Sequence, residues 1–378
     1  MNTKKVDYII LGGGCSALTF ASELSKNNVK NLSFLIIEEK KKYEDDRSWC
    51  FWDNQNYKNK NLISRSWKAF SISCNRKKII HCSEKYKYNY IRSKDFYNYA
   101  CNVIKKTKNI TLILGEEVLN IEEKQGSFLV KTNKSTYHAK KILDTRPKKN
   151  IYKVSPFLFQ SFLGYEIILN KNKYLTEIVG IMENMRFEKN NFIFDYILPL
   201  RKNCLLVEVT SFSKTSLSTK QLEILIEKTL KGNNIKNFKI IRKEYGVIPM
   251  GYINKDLLNN GNNYFYAGSI GGAVRPSSGY AFLRIQKWAE EAVALLNKKG
   301  EILSHPKEKI IIRYLDKLFL RVLEKNLSSA PFIFYIFLKR ISTKSFIRFM
   351  IGNPNIIDYL KIILAMPKKY FLNANIWK

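Results

Sequence analysis

The chain has 378 residues, with 65 Lys and Arg against 32 Asp and Glu, so its formal net charge is +33. A hydrophobic content of 45% and an aromatic content of 13% exclude a disordered protein, a disulfide-stabilised miniprotein and a collagen-like fibre. This length predicts roughly two domains, or one large discontinuous domain, with enough residues to bury a large ligand.

The cysteines and histidines do not predict a metal site. The six cysteines form no CxxC pair, and the three histidines lie far apart in the sequence. Structural zinc sites use close pairs of these residues, so no metal is expected and reduced thiols in a cytosolic setting fit best.

The positive charge raises nucleic acid as a partner. A nucleic-acid site would cluster Arg and Lys on one element, whereas here lysine dominates and is scattered through all regions. That pattern favours solvated surface lysine, and no nucleic-acid partner is predicted. A basic membrane-facing side stays open as an alternative, because anionic lipids attract polybasic surfaces.

The apolar segments of the sequence predict neither a targeting signal nor a membrane-spanning helix. The apolar run at residues 8–11 ends in three glycines instead of a cleavage site, which predicts no signal peptide. The apolar run PFIFYIFL at 331–338 is far shorter than the roughly 20 residues of a spanning helix. Basic and apolar residues alternate from there to Met350, which is typical either of an interfacial helix or of a core helix in a C-terminal lobe.

The first 38 residues carry a nucleotide-binding pattern. An apolar strand runs into three glycines and an apolar helix, and a second strand ends at an acidic residue. In the dinucleotide-binding fingerprint, the glycines let a pyrophosphate approach the helix N-terminus and the acid accepts from a ribose hydroxyl. The predicted cofactor-binding residues are Gly12, Gly13, Gly14, Ala17 and Glu38.

The remainder of the chain favours a flavoprotein over a plain dehydrogenase. Residues 67–90 and 157–210 alternate like antiparallel strands, and a late strand at 264–272 runs into glycines before a helix. We predict a mixed α/β fold with three parts. They are a Rossmann-like FAD-binding domain at 1–150 and 245–300, an inserted antiparallel-sheet substrate domain at 151–244, and a helical C-terminal region at 301–378. In the last part, residues 331–350 are a candidate membrane contact.

Seven sequence blocks follow one another along nearly the whole chain. They are DYIILGGGCSALTFASEL (7–24), DDRSWCFWD (45–53), ILDTRP (142–147), QSFLGYEI (160–167), FDYILPLRKNCLLVEVTSFS (194–213), EYGVIPM (244–250) and AGSIGGAVRPSSGYAFLRIQ (267–286). In this order they resemble the lycopene cyclase family, flavin-containing proteins related in fold to p-hydroxybenzoate hydroxylase. The resemblance is strongest to the bacterial beta-cyclase branch.

The resemblance implies an intramolecular lyase of bacterial carotenoid biosynthesis. It would close both ends of lycopene, through gamma-carotene, to beta-carotene without net redox change. The family uses reduced FAD, with NAD(P)H or another donor supplying the electrons. A transient carbocation requires preorganised negative charge and exclusion of water. A cytoplasmic enzyme held peripherally on the inner membrane is expected, because lycopene dissolves in the bilayer.

Two acidic residues are candidate catalytic groups. Glu208 matches the essential acid/base of the family's LxxE(E/D)T-like strand, although Val209 replaces the second acid. By its alternation alone, a glutamate on such a strand face is more typical of a solvated residue. Asp144 in ILDTRP stands where the family has an important aspartate, but it could equally cap backbone N–H groups before Pro147.

The other candidates come from the aromatic block and the late glycine loops. Arg47 is predicted to meet flavin or pyrophosphate, with a salt bridge to a neighbouring acid as the alternative. Aromatic residues near it could line a polyene tunnel or serve a core. The tunnel candidates are Trp49, Phe51 and Trp52, and the flavin-loop candidates are Gly268, Gly271, Gly272 and Gly279.

Other functions remain open at the level of sequence. A flavin monooxygenase or isoprenoid reductase could share the fold, and a monocyclase or epsilon-cyclase could share the chemistry. A basic, non-enzymatic binder of nucleic acid or membrane would lack flavin and its absorbance. The sequence does not predict an oligomeric state.

Overall fold

The computed structural model describes residues 4–27, 29, 31–147, 156–170, 177–253, 258, 261–306 and 308–372. Its strands are β1 (Lys4–Leu11), β2 (Phe34–Glu38), β3 (Ser48–Asp53), β4 (Arg65–Trp67), β5 (Ala69–Cys74), β6 (Lys77–Cys82), β7 (Lys87–Arg92), β8 (Ile110–Leu114), β9 (Val118–Lys124), β10 (Ser127–Thr132), β11 (Thr136–Asp144), β12 (Pro156–Leu169), β13 (Ile178–Glu188), β14 (Asn191–Arg201), β15 (Cys204–Ser213), β16 (Phe238–Gly251) and β17 (Tyr264–Tyr266). Its helices are α1 (Cys15–Lys26), α2 (Ser93–Lys105), α3 (Thr219–Gly232), α4 (Gly268–Gly271), α5 (Phe282–Lys299), α6 (Ile310–Lys325), α7 (Ala330–Arg340), α8 (Thr343–Met350), α9 (Ile356–Ala365) and α10 (Lys368–Leu372).

The first sheet is the predicted Rossmann-like sheet. Its order is β8-β2-β1-β11-β10-β9, and β17 pairs with the end of β11. Its strands are parallel except for the meander of β9 and β10, and every residue of β2 is buried, as in a sheet covered on both faces. Leu11 pairs with both Ile37 and Asp144, so the glycine turn begins where three strands end together.

The second sheet has the order β16-β12-β15-β14-β13-β5-β6 and is antiparallel except between β13 and β5. Its membership differs from the predicted bounds of 151–244. It includes β5 and β6 from residues 69–82, and β16 continues to Gly251. The reason is that β5 completes the edge beside β13, a pairing that the sequence alone does not show. The predicted boundary at 150 and 151 lies outside the described residues.

A third, three-stranded sheet and a helical layer hold the nucleotide side together. The sheet has the antiparallel order β3-β7-β4, and β3 packs on α5. Helix α1 packs between α2 and α5, where the ring of Phe20 lies 5.5 Å from that of Trp288. The aromatic segment of β3 therefore lies between the two large sheets.

The C-terminal helices pack on the second sheet: α6 contacts β12 and β16, and α7 contacts β5 and β13. Within the candidate membrane segment at 331–350, Ile333, Phe337 and Phe346 are buried. These side chains cover the second sheet, so the inner face of the segment is core, and contact of its remaining side chains with a membrane stays a prediction. Among the described residues, no helix is both long and apolar enough to cross a membrane.

Candidate active site

A cavity of about 2240 Å³ lies between the two large sheets and the C-terminal helices. Small-molecule pockets usually measure about 300–1,000 Å³, so this one has room for a dinucleotide and a second long ligand. Its wall runs from the turn after β1, across β15 and β16, to α9 and α10. The predicted glycine turn and Glu208 therefore border the same space.

The turn after β1 requires glycine because two side chains crowd its backbone. A Cβ on Gly13 would collide with the Tyr43 hydroxyl and lie 2.9 Å from the Cβ of Glu38. The Gly13 N–H donates to Glu38 Oε2, and the Tyr43 hydroxyl donates to the Gly13 carbonyl at 2.8 Å. Glu38, at the end of β2, is thereby fixed beside the turn, where it can accept from a ribose hydroxyl.

The N-terminus of α1 faces the cavity without a side-chain cap. Gly14 occupies the cap position, no acid lies in the first turn, and an ideal Cβ on Gly14 would meet nothing within 4 Å. Such an uncapped helix end attracts a phosphate group. Arg47 lines the cavity and also pairs with Asp46 at 3.2 Å, so both predicted contacts of Arg47 are compatible with its position.

The far end of the nucleotide side is built from the late glycine loops. Gly268, Gly271, Gly272 and Gly279 all line the cavity. The Gly268 N–H donates to His305 Nε2 at 3.1 Å, and burial lowers the pKa of His305 to about 3, so the ring accepts as a neutral imidazole. His305 was not predicted, and it orients this loop.

Three residues of the cavity wall carry buried polar atoms without a hydrogen-bond partner among the described residues. They are Gln160 Oε1, Ser278 Oγ and Trp52 Nε1. Buried polar groups are normally paired, so these atoms leave hydrogen-bonding capacity next to the cavity.

Together these features fit FAD. The α1 terminus and Arg47 would hold the pyrophosphate, Glu38 a ribose, and the loops at 268–279 the flavin end. Ala17 is completely buried within α1 and does not line the cavity, which suits the packing role of the fingerprint's third small residue.

Alternation along β15 directs Glu208 into the cavity. Leu206, Glu208 and Phe212 line the cavity, whereas the intervening Leu205 and Val207 pack with α3 in a separate core. One face of the strand is covered by a helix and the other by the cavity wall. Glu208 therefore points into the cavity and not to the outer surface of the protein, which disagrees with the interpretation as a solvated surface residue.

A second carboxylate lies beside Glu208, and the sheet register explains it. Gly164 on β12 pairs with Glu208 on one side and with Glu244 of β16 on the other. A Cβ on Gly164 would lie 2.9 Å from Glu244 Cγ and 3.1 Å from its Oε1. Because Gly164 has no side chain, Glu244 folds over it toward Glu208, and both acids line the cavity.

The two acids differ in their partners. Glu244 Oε2 accepts from Arg242 Nη1 at 2.8 Å and from Ser48 Oγ at 2.9 Å. Among the described residues, the one hydrogen bond to Glu208 comes from the Thr210 hydroxyl, which donates to Oε1 at 2.9 Å. Burial raises the pKa of both carboxyls, and burial together with the charge of Glu244 raises the pKa of Glu208 to about 8. Since Arg242 and Ser48 stabilise the charge on Glu244, the shared proton resides on Glu208.

Asp144 does not meet this pair. It is completely buried at the end of β11 and does not line the cavity. Arg146 donates to Asp144 through its backbone N–H, Nε and Nη2 at 2.8–3.0 Å, and the Tyr264 hydroxyl donates to Oδ2 at 2.7 Å. The geometry matches the predicted alternative, a turn aspartate that caps backbone and holds a neighbouring side chain, instead of the catalytic role.

The three aromatic tunnel candidates differ in whether they line the cavity. Trp49 and Phe51 point to the same side of β3 and stack on Phe282, at 5.6 and 5.0 Å between ring centroids. Phe51 is fully buried and does not line the cavity, so it is a core residue and the tunnel prediction for it is wrong. Trp49 and Trp52 do line the cavity.

Sequence reasoning missed Glu244, Arg242, Gly164 and Ser48. EYGVIPM and QSFLGYEI were noted as blocks, but no pattern within either shows that Glu244 faces Glu208. The available signal was a glycine inside a β-strand, which often marks a close approach of another group.

The architecture defines the class of protein: the two-domain α/β fold of FAD-dependent monooxygenases, halogenases and reductases. A geranylgeranyl bacteriochlorophyll reductase-like protein from Thermoplasma acidophilum superposes with a TM-score of 0.66 at 13% identity, over 98% of each chain. The p-nitrophenol 4-monooxygenase PnpA from Pseudomonas putida DLL-E4 gives 0.61 at 12% identity, over 99% of this chain and 100% of that one. A variant of the halogenase PltM solved in complex with FAD gives 0.58 at 12% identity, over 97% and 85%. The predicted fold class is confirmed.

The family follows from the sequence comparison. The model described as "Lycopene cyclase protein" matches residues 7–375, so the chain belongs to that family. A search of curated protein sequences gives no significant match.

Proposed function

We propose that this chain is a lycopene beta-cyclase that closes both ends of lycopene with Glu208 as the acid. The observation that carries the proposal is a carboxyl whose pKa is raised to about 8, next to a charged carboxylate in a large, mainly apolar cavity. An acid with a pKa near the working pH is both protonated and able to donate.

The proposed reaction starts with proton transfer from Glu208. The proton adds to the terminal double bond of a ψ end, and a tertiary carbocation results. The neighbouring double bond attacks this cation, which forms the ring bond and moves the charge onto a ring carbon. That ring loses a proton to the Glu208 carboxylate, which restores the acid. No atom or electron is gained or lost overall, and the choice of ring hydrogen decides between a beta and an epsilon ring.

Glu244 would stabilise the cation without transferring a proton. Its charge is fixed by Arg242 and Ser48 before substrate binds, so no reorganisation is needed when positive charge develops. Phe194 and Phe212 lie on the cavity wall and offer ring faces to a cation. Apolar walls also exclude water, which would otherwise trap the cation as an alcohol.

FAD would be the cofactor, held by the glycine turn, Glu38 and the loops at 268–279. When bound and reduced it supplies further negative charge near the cation, and NAD(P)H is the proposed electron donor. The substrate dissolves in the bilayer, so we also propose that the protein works at the surface of the inner membrane.

Expression in a lycopene-accumulating bacterium, with chromatographic separation of the pigments, tests the proposal. We expect gamma-carotene at short times and beta-carotene at long times. Epsilon rings or an accumulating monocyclic product would replace the two-ended beta-cyclase by the corresponding alternative. Unchanged lycopene, with the protein folded and flavin-loaded, would contradict any cyclase.

The same preparation separates the cyclase from a monooxygenase or reductase. With a reduced flavin, a cyclase converts many lycopene molecules without consuming a matching amount of NAD(P)H. A monooxygenase or reductase consumes one hydride donor for each product molecule. A one-to-one ratio would therefore overturn the proposal.

A further inference from the structure

Helix α9 has large apolar side chains on all sides. Its inner face, with Tyr359, Ile362 and Ala365, is buried. Its opposite face is exposed, and the exposed fractions are 70% for Ile356, 54% for Ile357, 56% for Leu360, 48% for Ile363 and 65% for Leu364. A helix that is apolar all round is normally surrounded by protein or lipid, so this exposed α9 face lacks a partner.

The positions along α9 form one stripe. At about 100° per residue, the five exposed residues fall within roughly a third of the helix circumference. Leu372 of α10 is 82% exposed and extends the apolar surface. Scattered exposed apolar residues need no partner, but a continuous stripe of this kind indicates a docking surface.

The charges around the α9 face identify the partner. Lys361, Lys368 and Lys369 are exposed on α9 and α10. The only acid in these two helices is Asp358, which is completely buried and bonded to Arg348 at 2.6 Å. An apolar stripe with a purely basic rim complements the acyl chains and headgroups of an anionic lipid surface.

A second copy of this chain fits less well. In a two-fold symmetric dimer the same patch of both copies forms the interface, so the lysines of both copies would be brought into one interface with no exposed acid of α9 or α10 to pair with them. Like charges across an interface oppose association.

The cavity reaches the α9 face. Ile363 and Leu372 are exposed to solvent and also line the cavity, together with Met366 and Phe371. The outer surface and the inner wall are therefore continuous at this edge along mainly apolar side chains, and Lys368 is the charged residue among them.

We propose that the α9 face docks on an anionic lipid surface and that the cavity opens to the bilayer there. The part concerning delivery of a long hydrocarbon rests on the proposed function, whereas the docking itself does not. The proposed docking surface on α9 and α10 is additional to the candidate contact at residues 331–350.

Vesicle co-sedimentation of the flavin-loaded full chain tests the docking. Phosphatidylcholine vesicles with and without phosphatidylglycerol are compared at low and high salt. We expect wild type to bind the anionic vesicles, with binding weakened by salt. Leu360→Gln combined with Leu364→Gln should reduce the binding at least about tenfold, since two apolar side chains no longer insert. Lys361→Gln combined with Lys369→Gln should reduce it severalfold and remove most of the salt dependence.

The matched controls are Leu119→Gln with Ile224→Gln for the apolar pair and Lys220→Gln with Lys231→Gln for the basic pair. Leu119 and Ile224 are 64% and 53% exposed on β9 and α3, outside the α9 face. These variants should bind vesicles like wild type. The Leu360→Gln, Leu364→Gln double variant is called the α9 variant. Vesicle binding by the α9 variant that equals that of wild type would overturn the proposal. An equal loss of vesicle binding in the Leu119→Gln, Ile224→Gln control would also overturn it. A dimer that the α9 variant dissociates, with vesicle binding unchanged, would also overturn it in favour of self-association.

Activity separates this proposal from the proposed function. Leu360 and Leu364 do not line the cavity. The α9 variant should convert lycopene dispersed in detergent at the wild-type rate and lycopene embedded in anionic vesicles at least about tenfold more slowly. Equal loss in both formats would contradict delivery through this face. Loss of vesicle binding with no cyclisation by wild type would support the docking and refute the cyclase.

Discussion

The end of β11 and the centre of β15 each carry an acid, and the two acids have opposite surroundings. At β11, Asp144 is enclosed by three donors from Arg146 and the hydroxyl of Tyr264. At β15, Glu208 has one hydroxyl donor and a carboxylate neighbour, Glu244. Both acids lie in sequence blocks that resemble the lycopene cyclase family. However, the nearest charged group is the cation of Arg146 for Asp144 and the carboxyl group of Glu244 for Glu208.

That difference decides what each acid can do. An acid held by several hydrogen-bond donors organises the structure around it, whereas the pKa of a carboxyl beside another carboxylate is raised, so that it retains its proton more readily. Asp144 therefore links the β11 turn to Arg146 at the nucleotide side. Glu208, which faces the cavity, is the group with a proton to give.

The largest predicted effect is that of Glu208→Gln. Glutamine keeps the shape and the bond from Thr210 but cannot transfer a proton, so cyclisation should fall between about a hundredfold and ten-thousandfold. Turnover of lycopene is measured with reduced FAD at saturation, after flavin absorbance and melting temperature show intact folding. Near-normal turnover by this variant would remove Glu208 as the acid.

A smaller effect is predicted for Glu244→Gln. The fixed negative charge next to the cation is lost while Glu208 stays, so turnover should fall about tenfold to a hundredfold. The control is Glu183→Gln on β13, a buried acid that does not line the cavity, which should turn over at close to the wild-type rate. If both variants were equally slow, the charge of Glu244 would have no special role.

For Asp144→Asn we expect lost stability and little lost chemistry. Arg146 loses its ion pair, and because its side chain is 30% exposed the loss should be about 2 kcal/mol, below that for a fully buried pair. Denaturant unfolding measures this change, and weaker FAD binding should accompany it. At saturating FAD the turnover should stay within about threefold of wild type. A Glu208-like loss of turnover would restore Asp144 as a catalytic candidate.

The smallest predicted effect is a pH-dependent shift in melting temperature. The pKa of Glu208 is raised from 4.5 to about 8 in the folded protein. Between these values the unfolded chain binds fewer protons, so Glu208 lowers the stability of wild type as the pH rises. Glu208→Gln has no ionisable group at this position, so its stability does not decrease with pH for this reason. Its melting temperature relative to wild type should increase by about 2–4 °C from pH 5 to pH 9, and a constant difference would contradict the raised pKa.

The nucleotide side could be predicted well from local sequence. Strand, glycine turn, helix and acid follow one another within 38 residues, so the elements that bind are also neighbours in the chain. The turn and Glu38 lie where the fingerprint requires them.

The acid pair could not be predicted in the same way. Glu208 and Glu244 are brought together by the pairing of β12 with both β15 and β16, and register across a glycine is not visible in either block. Likewise the sequence does not show that one face of α9 is exposed. Apolar residues occur on every side of this helix, and only the packing shows which of them are covered.

The pH dependence of single-turnover cyclisation by wild type and Glu244→Gln tests the central claim most directly. If Glu208 is the acid and Glu244 raises its pKa, the wild-type rate should fall to half near pH 8, since the donor is lost as the pH rises. In Glu244→Gln the alkaline limb should move to lower pH, because the neighbouring charge is gone. A wild-type rate that stays constant through pH 9, or a limb that does not move in the variant, would contradict the account.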